Sequence, residues 1–330
     1  MAVYTQIDDP SAYFKAQLWT GDGNGSRSIT FDDTDTNMQP DFVWIKSRSF
    51  ADNAELYDSS RGVQKRLLAN DGEAEETRSQ GLLAFNSNGF TVGTSDGVNK
   101  SSETFVAWCW KESAIAGFDI NLHTGSGSSA DISHNLSAVP ELILTKERSG
   151  TQWWFVYSSI SDMGAQKAMH LNTTNAVSTQ ATAYDATPTS SVINYGADGG
   201  VNGSSDTYVA YLWRSVQGFS KFGKYVGNGN ADGTFVYTGF KPAFFMTKGI
   251  VSGGYYNHDI DMNPGNPASV VLSANDGGTA ADNGSVPFDI LSNGFKPRTT
   301  VNNASGTTYL YMAWADAPFV NSNGVPCNAR

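Results

Sequence analysis

A nine-residue phrase opening on proline occurs three times in this chain, at intervals of 100 and 102 residues: Pro40-Asp-Phe-Val-Trp-Ile-Lys-Ser-Arg48, Pro140-Glu-Leu-Ile-Leu-Thr-Lys-Glu-Arg148 and Pro242-Ala-Phe-Phe-Met-Thr-Lys-Gly-Ile250. Each copy runs through mostly apolar positions to a lysine six residues on, Lys46, Lys146 or Lys248. A period this long marks one structural unit copied in tandem. Other landmarks keep the beat. A glycine turn opens each copy at Gly21, Gly125 and Gly227, and an aromatic strand closes it at Trp110, Trp213 and Trp314. Asn99, Asn202 and Asn303 each stand eleven residues before that tryptophan.

At 330 residues the chain exceeds one ordinary core, and three units of about 100 residues fit common domain sizes. Aromatics at 12%, 34 glycines and only 16% charged residues accompany short alternating runs between Gly, Asn, Asp and Ser clusters, which predicts an all-β protein. The first copy reads as strands near 16–19, 28–31, 42–47, 54–58, 66–69, 82–85 with 90–92, and 104–110. The proline-led and closing strands are apolar at consecutive positions, as in a strand covered on both faces. They are expected at the centre of a sandwich or between units. The fold expected is all-β, with three tandem related β-sandwich, lectin-like lobes at 15–112, 113–216 and 217–320. Residues 1–14 form an N-terminal anchoring arm and 321–330 a C-terminal tail.

A formal net charge of −11 argues against nucleic-acid or anionic-membrane partners. Cys109 inside an apolar strand and Cys327 near the end make no disulfide framework. No basic region followed by an apolar run opens the chain, so no signal peptide is expected. No apolar stretch approaches the ~20 residues that would span a bilayer. Synthesis in a host cytoplasm follows as the expectation.

The phrases Ile7-Asp-Asp-Pro-Ser-Ala-Tyr-Phe14, Trp19-Thr-Gly-Asp-Gly23, Tyr57-Asp-Ser-Ser-Arg-Gly62, Phe219-Ser-Lys-Phe-Gly-Lys-Tyr-Val-Gly-Asn-Gly229 and Ser292-Asn-Gly-Phe295 join the proline-led and closing strands in a pattern covering nearly the whole chain. It resembles a family of repeat-containing virion structural or tail-fibre proteins of marine tailed bacteriophages. The resemblance implies a virion protein; other virion proteins are expected as partners, and a homo-oligomer is expected. It brings no catalytic or binding residues with it. Copy three departs where the arginine of the proline-led phrase becomes Ile250, and Arg61 has no counterpart in the later copies.

No catalytic, cofactor or metal residues are predicted. His123, His134, His170 and His258 fall at different places in their repeats and lack ligand spacing. Carboxylates for glycoside cleavage are available in Asp58, Asp198, Asp259 and Asp261, but only separation in space decides that chemistry. The glycine turns offer oxygen ligands without an EF-hand ladder, and read as hairpin turns needing positive φ. Lys46, Lys146 and Lys248 read as gatekeepers whose stems cover apolar surface while the ammonium reaches water or an Asp, with a shared anion contact as the other reading. Trp153-Trp154 and Tyr255-Tyr256 place adjacent aromatics on opposite faces, so one of each pair is expected to turn outward, toward a neighbouring subunit or a sugar ring. The function expected is non-enzymatic: host-surface glycan recognition from the tail or a fibre, with capsid decoration as the alternative and polysaccharide depolymerisation as a lesser one.

Overall fold

The computed structural model describes residues 4–31, 36–160, 166–251, 253, 255–263, 265–282 and 286–327. The protein is all-β. Its backbone is dominated by three six-stranded antiparallel sheets, and their strand order is the same. In the first, the order is Phe14–Thr20, Thr104–Trp110, Phe42–Ser47, Glu55–Asp58, Lys65–Leu68 and Glu76–Thr77. The second runs Phe118–Thr124, Thr207–Trp213, Leu142–Glu147, Phe155–Ser158, Lys167–His170 and Ser178–Thr179. The third runs Ser220–Val226, Thr308–Pro318, Phe240–Gly249, Tyr255–Asp259, Val270–Ser273 and Ala281–Asp282. A small sheet of two or three strands accompanies each large one, giving a sandwich-like pair.

Alternation along the central strands explains why they read as continuously apolar. Phe42 and Trp44 enter one core while Val43 and Ile45 enter another. Trp108 and Trp110 likewise oppose Ala107 and Cys109. Leu142 and Leu144 oppose Ile143, and Phe244 and Met246 oppose Phe245. One set of faces packs on the sheet's own small partner. The other set, from all three large sheets, meets in a single shared core.

At the centre of that core stand the three closing tryptophans. Ring centroids lie 6.2 Å apart for Trp110 and Trp213, 5.2 Å for Trp110 and Trp314, and 6.1 Å for Trp213 and Trp314. Edge contacts at such distances suit the ring quadrupoles. Phe42, Phe244 and Leu142 fill in around them, and the space left over is about 10 Å³, too small for a ligand. The buried indole N–H groups of Trp110 and Trp213 have no partner among the described residues. Each such group costs about 1–3 kcal/mol, so ring volume outweighs the orphaned donor here.

The glycine turns are corners, which corrects the hairpin expectation. Phe14–Thr20 pairs with the closing strand and Arg27–Thr30 with Gly89–Val92, so the loop between them carries the chain from the large sheet to the small one. The recurrent asparagine holds that corner. Asn99 is fully buried, accepts from the Asp22 N–H at 3.1 Å and donates to the Asn24 carbonyl at 2.8 Å. Asn202 and Asn303 make the matching bonds to Ser126, Ser128, Asn228 and Asn230. A Cβ on Gly21 would sit 2.1 Å from the Lys100 carbonyl oxygen, and Gly23 has φ of +72°, so neither position tolerates a side chain.

Residues 4–13 lie against the body. Thr5 and Ile7 are buried, the latter in the shared core, and the Gln6 N–H donates to Gln217. Asp8 accepts from Ser322, tying the start of the chain to its end. No helix among the described residues is long and apolar enough to cross a membrane.

Trp110→Ala is expected to destabilise the protein by about 3–5 kcal/mol in urea unfolding, because it opens a cavity no neighbour can fill. Trp153→Ala, at a side chain 51% exposed, is expected to change stability by no more than about 0.5 kcal/mol.

Candidate functional site

The three large sheets meet at three seams, and the same backbone bonds recur at each. Where the first sheet meets the second, the Gln152 N–H donates to the Gly72 carbonyl at 2.9 Å and Glu75 N–H to Arg148 at 2.9 Å. Where the second meets the third, Gly253 donates to Thr174 at 3.0 Å and Val177 to Ile250 at 2.9 Å. Where the third meets the first, Asp52 donates to Gly277 at 3.0 Å and Ala280 to Arg48 at 2.9 Å. The set is cyclic, so the sheets close into a ring.

The recurrent lysines serve those seams. Lys46, Lys146 and Lys248 are buried, not gatekeepers at a wet edge. Lys46 Nζ donates to the Asp52 carbonyl at 2.6 Å and Lys146 Nζ to that of Glu147 at 2.6 Å. Lys248 Nζ spans its seam, bonding Gly253 and, at 3.1 Å, Asn175. Each ammonium thus fixes the loop that makes the backbone bonds above. Burial pushes all three to about 8, against the pull of Asp276 and Asp52 on Lys46 and of Glu147 and Asp71 on Lys146.

Two of the four predicted aromatics are also sealed inside. Trp154 is buried in the shared core and its indole N–H crosses the first seam to the Leu68 carbonyl at 2.7 Å. Tyr255 is buried in the same core, with the Lys248 ammonium 5.3 Å from its ring centroid. Neither can meet a ligand or another chain. Tyr256 is half-buried and turns toward the third sandwich, as alternation requires. Trp153 alone of the four is exposed, resting edge-on against His170 at 4.7 Å.

Three of the four available carboxylates are committed to structure as well, while Asp261 is exposed. Asp58 accepts from the Arg61 guanidinium and, across the first seam, from the Tyr211 hydroxyl at 2.6 Å. Asp259 accepts from the Trp108 indole at 2.7 Å. Burial, with Asp261 adding to it, pushes Asp259 up to about 7 against the Trp108 bond. Its neighbour His258 is stacked on Phe245 at 4.7 Å and pushed down to about 3 by burial. Asp198 caps the Gly199–Asn202 helix by accepting from the Gly200 N–H at 2.8 Å. Among the described residues no three His, Cys, Asp or Glu side chains converge as a metal site would require.

An open groove of about 580 Å³ lies between the second and third sheets. Tyr4, Gln217 and Tyr237, all exposed, line it together with Glu141, Arg214 and Lys221. Lys221 Nζ donates to the Tyr237 carbonyl at 2.9 Å and lies 5.1 Å from the tyrosine ring centroid. Glu141 is held by the Ser215 N–H at 2.6 Å and by its hydroxyl. Repeat spacing hid this set, because the groove departs from the repeat. Tyr237 pairs with Gly294 as Thr30 pairs with Gly89, so a large aromatic occupies an outward position that carries threonine in the first copy. That outward aromatic was the available signal.

The chain belongs to a family described as a domain of unknown function, DUF7483, which matches residues 9–318. No curated protein matches it.

The buried lysines set a pH dependence. From about pH 8 to the ordinary lysine value near 10.4, the unfolded chain retains protons that the folded chain has begun to release, so the unfolding free energy rises with pH. The buried Cys109 thiol, raised by burial, acts in the opposite sense above about pH 9, and buried tyrosines with raised values, such as Tyr184 and Tyr211, do so above about pH 10, which leaves pH 8–9 as the clear window. Urea midpoints are expected to climb across it and to climb less in Lys146→Met. A flat wild-type profile would contradict this assignment.

Proposed function

We propose that this protein is a non-enzymatic structural component of a bacteriophage particle that recognises the host surface from the tail or a fibre. It is built as three tandem related lobes, 15–112, 113–216 and 217–320, closed on one another. The observation supporting this reading is where the chain keeps its chemistry. The recurrent buried lysines and asparagines are occupied at seams and corners, whereas aromatics and mixed-charge side chains are exposed at Trp153 and in the groove of Tyr4 and Tyr237. Such shallow sites suit glycans bound weakly and many times over, with further copies of the chain and other virion proteins supplying avidity.

Polysaccharide cleavage fits less well. Asp58 and Asp259 are wholly buried, so a glycosidic oxygen has no access to either. Capsid decoration is the second reading, favoured by the cyclic seams: a closed three-part body is shaped to sit where three coat subunits meet.

Gold-labelled antibody against the protein, viewed on particles of the phage encoding it, separates these readings. Gold at the tail is expected. Gold over the head would transfer the protein to the decoration class, and bare intact particles would contradict an exposed virion protein.

A further inference from the structure

We propose that the groove between the second and third sheets binds a carboxylated saccharide, with a uronate unit held between Tyr4 and Tyr237. The proposal rests on the surface-recognition reading and adds to it a site and a ligand class. Tyr4 and Tyr237 are 52% and 53% exposed, unusual for rings of that size in a fold whose other tyrosines are mostly buried. An amphipathic ring of this kind offers an apolar face to the C–H face of a pyranose while its hydroxyl stays wet. The volume of about 580 Å³ falls in the range of small-ligand sites.

Charge selects among sugars. The chain carries a formal charge of −11, yet this groove contains two cations, Arg214 and Lys221, against one acid, Glu141. The acid is already engaged by Ser215. An ammonium has three donors, and the contact with the Tyr237 carbonyl uses one of those on Lys221. Arg214 spends its terminal nitrogens on Ser215 and Ala114, while its buried Nε has no partner among the described residues. The groove is therefore a positive spot on an acidic body, which draws a carboxylate where the surrounding surface repels it. Gln217 adds an exposed amide suited to sugar hydroxyls.

The walls are preorganised. The Gln6 N–H donates to the Gln217 carbonyl at 3.1 Å, and the Thr5 hydroxyl donates to the Ile7 carbonyl at 2.7 Å with the Gln217 carbonyl 3.1 Å away, fixing the segment that carries Tyr4. Tyr237 is held by strand pairing with Gly294. Binding thus orders few groups, which favours a small ligand.

Isothermal titration of the full chain with trigalacturonate, and with maltotriose as a neutral probe of equal length, tests the assignment. Trigalacturonate is expected to bind at least about tenfold more tightly than maltotriose and to weaken as salt rises. Tyr237→Ala and Lys221→Gln, both at partly or largely exposed positions, should each weaken it by about tenfold. Val63→Ala, at an exposed position outside the groove, should leave it unchanged. Maltotriose binding without trigalacturonate binding would overturn the ligand class while leaving surface recognition standing. Trigalacturonate binding abolished in Trp153→Ala but kept in both groove variants would overturn the site. Failure of both saccharides to bind would overturn the groove proposal, and the gold-labelling result would then decide separately whether the recognition reading survives.

Discussion

Three sheets that each have two apolar faces cannot be satisfied by three separate sandwiches. A small sheet covers one face of each, and the other must find cover elsewhere or remain in water, at roughly 25 cal/mol for every Å² of apolar surface. Closing the three on one another buries all three exposed faces at once in a single core. That closure sets most of what else is seen. It demands bulky side chains on the axis, which the closing tryptophans provide, and seams whose backbone groups are paired. The buried lysines belong to the same demand, since loops forced together away from water must have their carbonyls met.

Departures from the repeat follow closure too. Asp58 meets Tyr211 and Asp259 meets Trp108, but at the corresponding repeat positions the second sheet carries Ser158 and the third Met312, which has no hydrogen to give. Serine in place of the acid and methionine in place of the donor suit one another, because no carboxylate is buried there without a partner. The seam arginines behave alike. Arg148 makes a bidentate pair with Glu75, and Arg61 joins it. Burial works to raise Glu75, but the two arginines outweigh it and hold the carboxyl below its usual range. At the second seam the corresponding residues are Ile250 and Val177, an apolar match for an apolar match. The first two seams are thus matched in different ways, as fixed neighbours in one chain can be and identical subunits, whose seams must all be alike, cannot.

The fold class and most strand positions were legible because β-structure writes itself locally. The 42–47 and 104–110 strands, the corner glycines and the eleven-residue offset of Asn99 all follow from short-range pattern. The ring closure was not legible. Consecutive apolar residues announce two covered faces without saying what covers the second: Trp153 turns outward beside a buried Trp154 as expected, but neither Tyr255 nor Tyr256 is exposed. The lysines misled by the same route: ending an apolar strand looks like a wet edge unless the neighbouring loop is known. The groove residues failed differently. Glu141, Arg214, Lys221 and Tyr4 come from distant stretches of chain, and only the seam between the second and third sheets assembles them.

Differential scanning calorimetry of the full chain tests the closure most directly. If one core holds the three sheets, the protein unfolds in a single transition whose calorimetric and van't Hoff enthalpies agree, and Trp110→Ala moves that transition as a whole. Three resolved transitions, with Trp110→Ala shifting only one, would mean that each sheet pair is stable alone and that the shared core is incidental.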